Sequence, residues 1–224
     1  MNENQRETIK ELGSTELSAG KGSIHCLTIM GQIEGHSGVE EPGKGTKYEH
    51  ILPLLAAIEE SQEIDGLLVL LNTMGGDVEA GLAIAEVIAG MTKPTATLVL
   101  GGSHSIGVSL AVAGSRSFIA PSAAMMIHPV RMSGMVIGAP QSWRYFTETQ
   151  KRITDFVTAH SHISREKLEE LMMAPDQMAN DVGTIISGPE AVDCGLIDTL
   201  GTISDALQYL HKAINLRKSE KTDE

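Results

Sequence analysis

Ser105 lies in a short glycine-rich segment, Gly101–Gly107, which follows an apolar, β-branched run, Thr95–Leu100. The run predicts a buried strand, and the small apolar residues Ser105–Ala113 predict a buried helix. A serine at such a junction stands on a sharp turn, and its hydroxyl can act as a nucleophile if a base lies beside it. The spacing alone is weak evidence, because Ser103–Gly107 does not complete the Gly-x-Ser-x-Gly elbow and a capped, buried helix is the commoner explanation.

A second junction of the same kind occurs at Gly75 and Gly76, between the apolar run Gly66–Leu71 and a helical pattern that begins at Val78. In open α/β folds ligands bind beyond the carboxyl ends of the strands. The first N–H groups of a helix are unpaired and lie at its positive dipole end, so they suit an oxyanion. Glycine at this point lets a substrate backbone approach closely. The two junctions together therefore predict an oxyanion site.

His128 follows the short apolar run Ala124–Ile127 and is the candidate general base for Ser105. Taken alone, a histidine in this setting is more often a core residue. His104 is the immediate neighbour of Ser105, so its side chain must point elsewhere. His160 and His162 form a His-x-His pair that lacks a third metal ligand, which favours an exposed helix end over a metal site.

Strand-like and helical patterns alternate along most of the chain, which predicts βαβ units, an α/β fold and a mainly parallel sheet. A loop is expected at His36–Thr46 and a turn at Asn72–Asp77. Asp77 and Glu79 are expected to stabilise the start of their helix, and Asp77 could also touch substrate. The predicted strands are Ile24–Met30, Gly66–Leu71, Thr95–Leu100, Ser117–Ala120 and Ala124–Ile127. The predicted helices are Tyr48–Glu60, Val78–Gly90, Ser105–Ala113, Trp143–His160, Ser164–Met173, Pro189–Cys194 and Ile203–Leu216.

The composition restricts the class of protein. The 224 residues suffice for one sizeable core, and with only 3% aromatic residues that core must be aliphatic. A net charge of −12 argues against nucleic-acid binding and against docking on an anionic membrane. Cys26 and Cys194 lie far apart in apolar stretches, which favours reduced thiols. No signal-peptide pattern or membrane-spanning apolar run is seen, so a cytoplasmic protein without membrane insertion is expected.

Four blocks together resemble the ClpP peptidase family, and they occur in that family's order: Thr73–Ile88, Thr97–Gly114, Pro121–Pro129 and Ser187–Leu200. In ClpP-type enzymes the corresponding blocks carry a Ser-Pro-Gly-Gly turn, a nucleophilic serine, a Met-Ile-His histidine and a terminal Gly-Leu-Ile-Asp. The resemblance runs from about Ile24 to Leu200, and within the family it is nearest to the TepA, or translocation-enhancing, subgroup. It implies a ClpP/crotonase-like fold of repeated ββα/βαβ units with a protruding handle helix.

The resemblance assigns roles residue by residue. Ser105 matches the nucleophile and His128 the general base, while Gly76 and Ile106 match the positions whose backbone N–H groups form the oxyanion hole. It implies a serine endopeptidase that acts on unfolded polypeptides or peptides, in protein turnover or in aiding translocation of pre-secretory proteins. It also implies a homo-oligomeric ring or stacked rings, with no metal and no organic cofactor.

The acid, the third member of the expected triad, is harder to assign than the serine and the histidine. Counted without a gap from Ser187, the family's aspartate falls on Gly183, and the nearest carboxylate is Asp181. A small local insertion would place Asp181 in the site as the acid. Without it, a Ser105–His128 dyad could still work, because loss of the orienting carboxylate weakens a triad without abolishing catalysis.

Other departures from the family concern the ends and one turn. Met74 stands where the family has proline, and His36–Thr46 is an insertion. The N-terminal segment does not resemble ClpP axial loops, so docking of a Clp-type ATPase is doubtful. The predicted organisation is a flexible segment at 1–22, a peptidase domain at 23–216 with its handle at about 131–160, and a charged tail at 217–224.

Three alternatives remain open from the sequence. A crotonase-like acyl-CoA enzyme would place carboxylates beside the substrate, where this chain has Ser105 and His128. A Ser–Lys signal-peptide peptidase would need a lysine near Ser105 and usually a membrane anchor. A non-proteolytic assembly protein would keep the fold with an incomplete triad, which the uncertainty at Asp181 allows.

Overall fold

The computed structural model describes residues 13–18, 22–35, 44–131, 138–175 and 182–220. These residues form nine strands and seven helices. The strands are β1 (Ser14–Ser18), β2 (Ser23–Glu34), β3 (Gly45–Lys47), β4 (Gly66–Gly76), β5 (Thr95–Ser103), β6 (Arg116–Ile119), β7 (Ala124–Ile127), β8 (Thr184–Ser187) and β9 (Thr199–Leu200). The helices are α1 (Tyr48–Glu60), α2 (Val78–Ala89), α3 (Gly107–Val112), α4 (Ala139–Ala159), α5 (Arg165–Met173), α6 (Gly188–Asp193) and α7 (Ile203–Glu220).

The sheet is mainly parallel, as the alternating pattern predicted. Its main path runs β1-β2-β4-β5-β6-β9, and every neighbouring pair after β1-β2 is parallel. The strand β7 joins β5 through a parallel pair and pairs antiparallel with β8. The carboxyl ends of β4, β5 and β7 therefore meet at one edge, which is where ligands bind in such folds.

Side chains of β4 alternate between two apolar layers. Leu67, Val69 and Leu71 pack into the larger core, with helices α1, α2 and α3, whereas Leu68 packs into a smaller one. The smaller core includes Leu210 of α7. A strand covered on both faces must be apolar at every position, which explains the continuous run Gly66–Leu71.

Several predicted element bounds are confirmed. Others are wrong because strand pairing continues past the apolar runs. The bounds of α1 and β7 agree with prediction. The predicted turn at Asn72–Asp77 is instead a continuation of β4 to Gly76, because pairing with β2 resumes after a register shift near Gly31. The strand β5 likewise continues to Ser103, which pairs with Thr73. The strand β8 was not predicted.

Two segments that the sequence assigned to a flexible start and a charged tail include regular structure among the described residues. Ser14–Ser18, expected to be part of a flexible segment, pairs antiparallel with β2. Helix α7 extends to Glu220 into the predicted charged tail, where Lys218 donates to Asp65 at 2.7 Å. Within the expected loop, Thr46 lies in β3, while residues 36–43 lie outside the described residues.

Helix α4 corresponds to the predicted handle and begins four residues before Trp143. Its Arg152 makes two hydrogen bonds to Glu79 of α2, at 2.7 and 2.9 Å. Asp155 of α4 pairs with Arg165 of α5. Ion pairs thus tie α4 to the helices on both sides of it. None of the described helices combines the length and apolarity that crossing a membrane requires.

Candidate active site

Ser105 occupies the turn between β5 and α3 in a left-handed backbone conformation, with φ of 58°. Among the described residues it is the one non-glycine residue with a positive φ. Such a conformation costs an L-residue roughly 1–2 kcal/mol, so neighbouring contacts must impose it. Its N–H donates to the carbonyl oxygen of Met126 at 2.9 Å, and the N–H of His104 donates to Thr73 at 3.0 Å. The hydroxyl is therefore presented on a strained and firmly held turn.

Gly75 packs directly against this turn. A Cβ atom at Gly75 would lie 2.8 Å from Cβ of Ser105 and 2.6 Å from the carbonyl oxygen of His104, and its φ is +87°. No residue other than glycine fits there without displacing the serine. The end of β4 and the serine turn are thus packed together because Gly75 has no side chain.

The N–H of Gly76 is directed toward the same site. Asp77 donates its N–H to the carbonyl oxygen of Ile33 in β2 at 3.0 Å. Because successive N–H groups of a strand point to opposite edges, the N–H of Gly76 is directed away from β2. Gly76 lines a cavity together with Ser105 and Ile106. This position suits an oxyanion donor.

Ile106 is the N-cap of helix α3 and supplies a second N–H. Within the described part of the chain this N–H has no hydrogen-bond partner, as is usual for a first-turn donor. Its side chain is buried, where it meets Gly81 of α2. The buried side chain fixes the residue while its backbone N–H remains available in the cavity.

His128 follows β7, two residues beyond the carbonyl that accepts from Ser105. Its Nδ1 lies 2.7 Å from the carbonyl oxygen of Pro129. A carbonyl oxygen can only accept, so Nδ1 carries a proton, and in the neutral ring Nε2 is then the acceptor nitrogen. That is the tautomer a general base requires. His128 lines the same cavity as Ser105.

The cavity has a volume of about 190 Å³ and walls that are largely apolar. A cavity of this size can hold one aliphatic or aromatic group. The described residues lining it include a serine and a histidine but neither a lysine nor a carboxylate. Beyond the four predicted site residues, the lining consists of Val78, Val108, Ile127, Pro129, Val130, Arg131, Ile153, Val157, Leu168 and Met172.

The predicted acid, Asp181, lies outside the described residues. Gly183, the position given by counting without a gap, is buried against His128. A Cβ atom there would lie 2.8 Å from Cβ of His128 and 2.5 Å from the carbonyl oxygen of Ile127. There is no room for a carboxylate side chain at 183, so the ungapped alignment cannot supply the acid.

The remaining predicted residues serve mainly local structure. Asp77 caps α2 by accepting from Ala80 at 2.9 Å, as expected of a first-turn acid. Burial lowers the pKa of His104, whose ring lies against Gly102. His160 stacks on a phenylalanine of α4, and the described residues contain no group of side chains suited to a metal.

Sequence reasoning missed the walls of the cavity and a polar contact behind His128. Ile153 and Val157 lie within the predicted helix Trp143–His160, yet helical spacing alone does not say which cavity they face. Gln150 accepts the N–H of Val130 at 2.8 Å. Nothing in the pattern singled out a glutamine on an amphipathic helix.

Comparison with known proteins supports the motif-based resemblance. The family model for Clp protease matches residues 22–204. Translocation-enhancing protein TepA of Halalkalibacterium halodurans is 54% identical over 209 residues, covering 93% of this chain and 82% of that protein. The ATP-dependent Clp protease proteolytic subunit 1 of Chlamydia abortus is 33% identical over 138 residues, or 59% of this chain and 68% of that subunit. Capsid assembly protease C of Escherichia phage lambda is 26% identical over 224 residues, or 88% of this chain and 50% of that protein.

These matches confirm the expected resemblance, including its TepA-like character, and they agree with the α/β ClpP-like architecture described above. The matched segment begins just before β2 and ends in α7, so it includes both glycine junctions and His128. The chain therefore belongs to the Clp protease family.

Proposed function

We propose that this protein is a serine endopeptidase in which Ser105 is the nucleophile and His128 the general base. The observation that carries the proposal is the shared cavity. It is lined by a serine on a strained turn, a histidine whose Nε2 can accept a proton, and two backbone N–H donors at Gly76 and Ile106. Asp181 is the candidate acid from the sequence and remains a prediction.

In this mechanism Nε2 of His128 takes the proton of Ser105 as the hydroxyl oxygen attacks a peptide carbonyl carbon. The N–H groups of Gly76 and Ile106 stabilise the negative charge that develops on the carbonyl oxygen. His128 then donates its proton to the leaving amine. Water, activated by the same nitrogen, hydrolyses the acyl-enzyme and restores Ser105.

The proposed class of substrate is inferred from the cavity beside Ser105. An apolar space of about 190 Å³ beside Ser105 favours a peptide with an apolar side chain before the scissile bond. The backbone must approach Gly76 closely, which an extended, unfolded chain can do and a folded domain cannot. Unfolded polypeptides and peptides are therefore the proposed substrates.

The proposed assembly is a homo-oligomeric ring or a pair of stacked rings. Trp143 and Tyr145 of α4 are 75% and 52% exposed, which is unusual for such large aromatic side chains in a single subunit. A second copy of the chain would cover them. Sedimentation of the wild type against Trp143→Glu tests this, because a monomeric wild type would contradict it.

A role in aiding translocation of secreted proteins, or in protein turnover, is also proposed. It rests on the name of the similar protein from Halalkalibacterium halodurans. Secretion of a reporter in cells that carry the wild type or Ser105→Ala would test it. Equal secretion without the gene would contradict the translocation role.

Hydrolysis of an unstructured protein and of internally quenched peptides tests the peptidase function. The wild type should cut next to apolar residues, and Ser105→Ala and His128→Ala should be inactive while retaining their fold. Unchanged hydrolysis by Ser105→Ala would contradict the assignment. Absence of cleavage by the folded wild type would instead favour the non-proteolytic assembly protein.

A further inference from the structure

A single peptide unit connects His128 to helix α4. Nδ1 of His128 lies 2.7 Å from the carbonyl oxygen of Pro129, and the N–H of Val130 donates to Oε1 of Gln150 at 2.8 Å. That carbonyl and that N–H belong to the same amide. The contacts therefore form one continuous chain, from the imidazole ring through the Pro129–Val130 amide to the side chain of Gln150.

The amide group of Gln150 is itself held in one orientation. Its Nε2 donates to Sδ of Met172 at 2.9 Å and to Oγ1 of Thr154 at 3.4 Å. Thr154 is buried and donates its hydroxyl to the backbone carbonyl of Gln150 at 3.0 Å. With the nitrogen occupied on that side, Gln150 presents its oxygen to Val130, whose N–H can only donate.

We propose that Gln150 is a positioning residue for the general base: through the Pro129–Val130 amide it holds His128 as the Nδ1–H tautomer and leaves Nε2 ready to accept the proton of Ser105. This inference rests on the proposed serine-peptidase function. It assigns a role to a side chain that touches neither the substrate cavity nor the reacting atoms.

The physical basis is the cooperativity of hydrogen bonds in series. When Gln150 accepts the Val130 proton, the amide is polarised and its carbonyl oxygen becomes a stronger acceptor for Nδ1–H. The same polarisation stabilises the imidazolium that forms when Nε2 takes the serine proton. In a Ser-His-Asp triad the orienting carboxylate stabilises the imidazolium. A neutral amide stabilises it more weakly, because the amide carries only partial charges.

The experiment measures the rate at which a fluorophosphonate labels Ser105, over about pH 5 to 9, with thermal unfolding as the test of fold. We expect Gln150→Met to slow labelling about three- to tenfold, the worth of one hydrogen bond. Gln150→Glu should move the midpoint of the pH profile upward, because a carboxylate adds negative charge to the relay. Gln208→Met, on the exposed face of α7, should match the wild type.

Gln150→Met and Gln208→Met leave the charges around His128 as they are in the wild type, whereas Gln150→Glu adds one negative charge. Among the described residues that line the cavity, Arg131 is the other charged side chain. A purely structural role for Gln150 would lower the stability of the neutral variant Gln150→Met but leave its pH midpoint at the wild-type value, whereas loss of the relay would move that midpoint downward because the imidazolium is less stabilised. The pH profile therefore separates positioning from packing.

Nitrogen-15 spectra of histidine-labelled protein give a second measurement that needs no activity. The Nδ1–H tautomer of His128 is expected in the wild type and its partial loss in Gln150→Met; if that variant does not fold, Gln150→Glu decides. The wild type could fail to react with the fluorophosphonate while Gln150→Met still loses the Nδ1–H tautomer. That result would overturn the peptidase proposal and support the positioning role. Unchanged rates, pH midpoints and tautomer in both Gln150 variants would overturn the positioning role. So would a roughly 10⁴-fold loss confined to Asp181→Asn, the effect of removing an orienting carboxylate.

Discussion

The N–H of Ser105 donates to the carbonyl oxygen of Met126 across 2.9 Å, and this bond joins the nucleophile's turn to the strand that carries His128. The two candidate catalytic residues are 23 positions apart in sequence. Their relative position is nevertheless set by one backbone hydrogen bond and two residues of extended chain. Because this bond uses only backbone atoms, any residue except proline at position 105 can make it.

The strained turn predicts a difference between two inactive variants. Ser105→Gly removes the cost of a positive φ, whereas Ser105→Ala retains it, so the glycine variant should be more stable by about 1 kcal/mol. Urea unfolding of both proteins measures the difference. Equal stability, or a more stable alanine variant, would show that the backbone at 105 relaxes and stores no strain.

A methyl group at Gly75 should strongly reduce activity without direct contact with substrate. Its Cβ would lie within 2.6–2.8 Å of His104 and Ser105, so Gly75→Ala must displace the serine turn and the adjacent donors. A loss of about 10²- to 10³-fold in kcat is expected, comparable to loss of an oxyanion donor. Gly90→Ala is the control, because Gly90 ends α2 with a helical φ of −80°. Near-normal activity of Gly75→Ala would contradict the close packing described here.

The buried His25 and the half-buried His104 predict that stability falls in mild acid. Burial lowers the pKa of His25 and of His104 below the ordinary value of 6.5. The unfolded chain therefore binds protons that the folded chain does not, and stability decreases as pH falls below about 6.5 toward the folded-state pKa values. Melting temperatures from about pH 7.5 to 5.5 should decrease, and less steeply in His25→Leu. His50→Gln, at an exposed position, should follow the wild type; an identical slope in His25→Leu would exclude that histidine as a cause.

The width of the apolar cavity should determine which side chains are accepted. Ile153 projects from α4 into the cavity lining, so Ile153→Phe should narrow it. We expect kcat/KM for peptides with a large apolar residue before the cleaved bond to fall at least about tenfold, with less effect for alanine. Ile203→Phe, at a position that is 45% exposed on α7, is the control. Equal losses for large and small residues would indicate that the cavity does not receive that side chain.

Much of the fold follows from local pattern, because buried parallel strands need continuous apolar runs and amphipathic helices need a helical period. The boundaries of α1 and β7 show this. The sequence could not show that β4 and β5 continue past Leu71 and Leu100. Most of their last residues are glycine or polar, and only backbone pairing with neighbouring strands makes those residues part of the sheet. It also could not assign Gln150, whose role depends on one amide of a distant loop. The glycine junctions and His128 were predictable because fixed motifs specify them.

Labelling of the folded protein with a fluorophosphonate, followed by intact-mass measurement and peptide mapping, tests the assignment of Ser105 as the nucleophile. We expect one adduct per chain, located on Ser105, absent from Ser105→Ala and strongly reduced in His128→Ala. No adduct on the folded wild type, or the same adduct in Ser105→Ala, would contradict it.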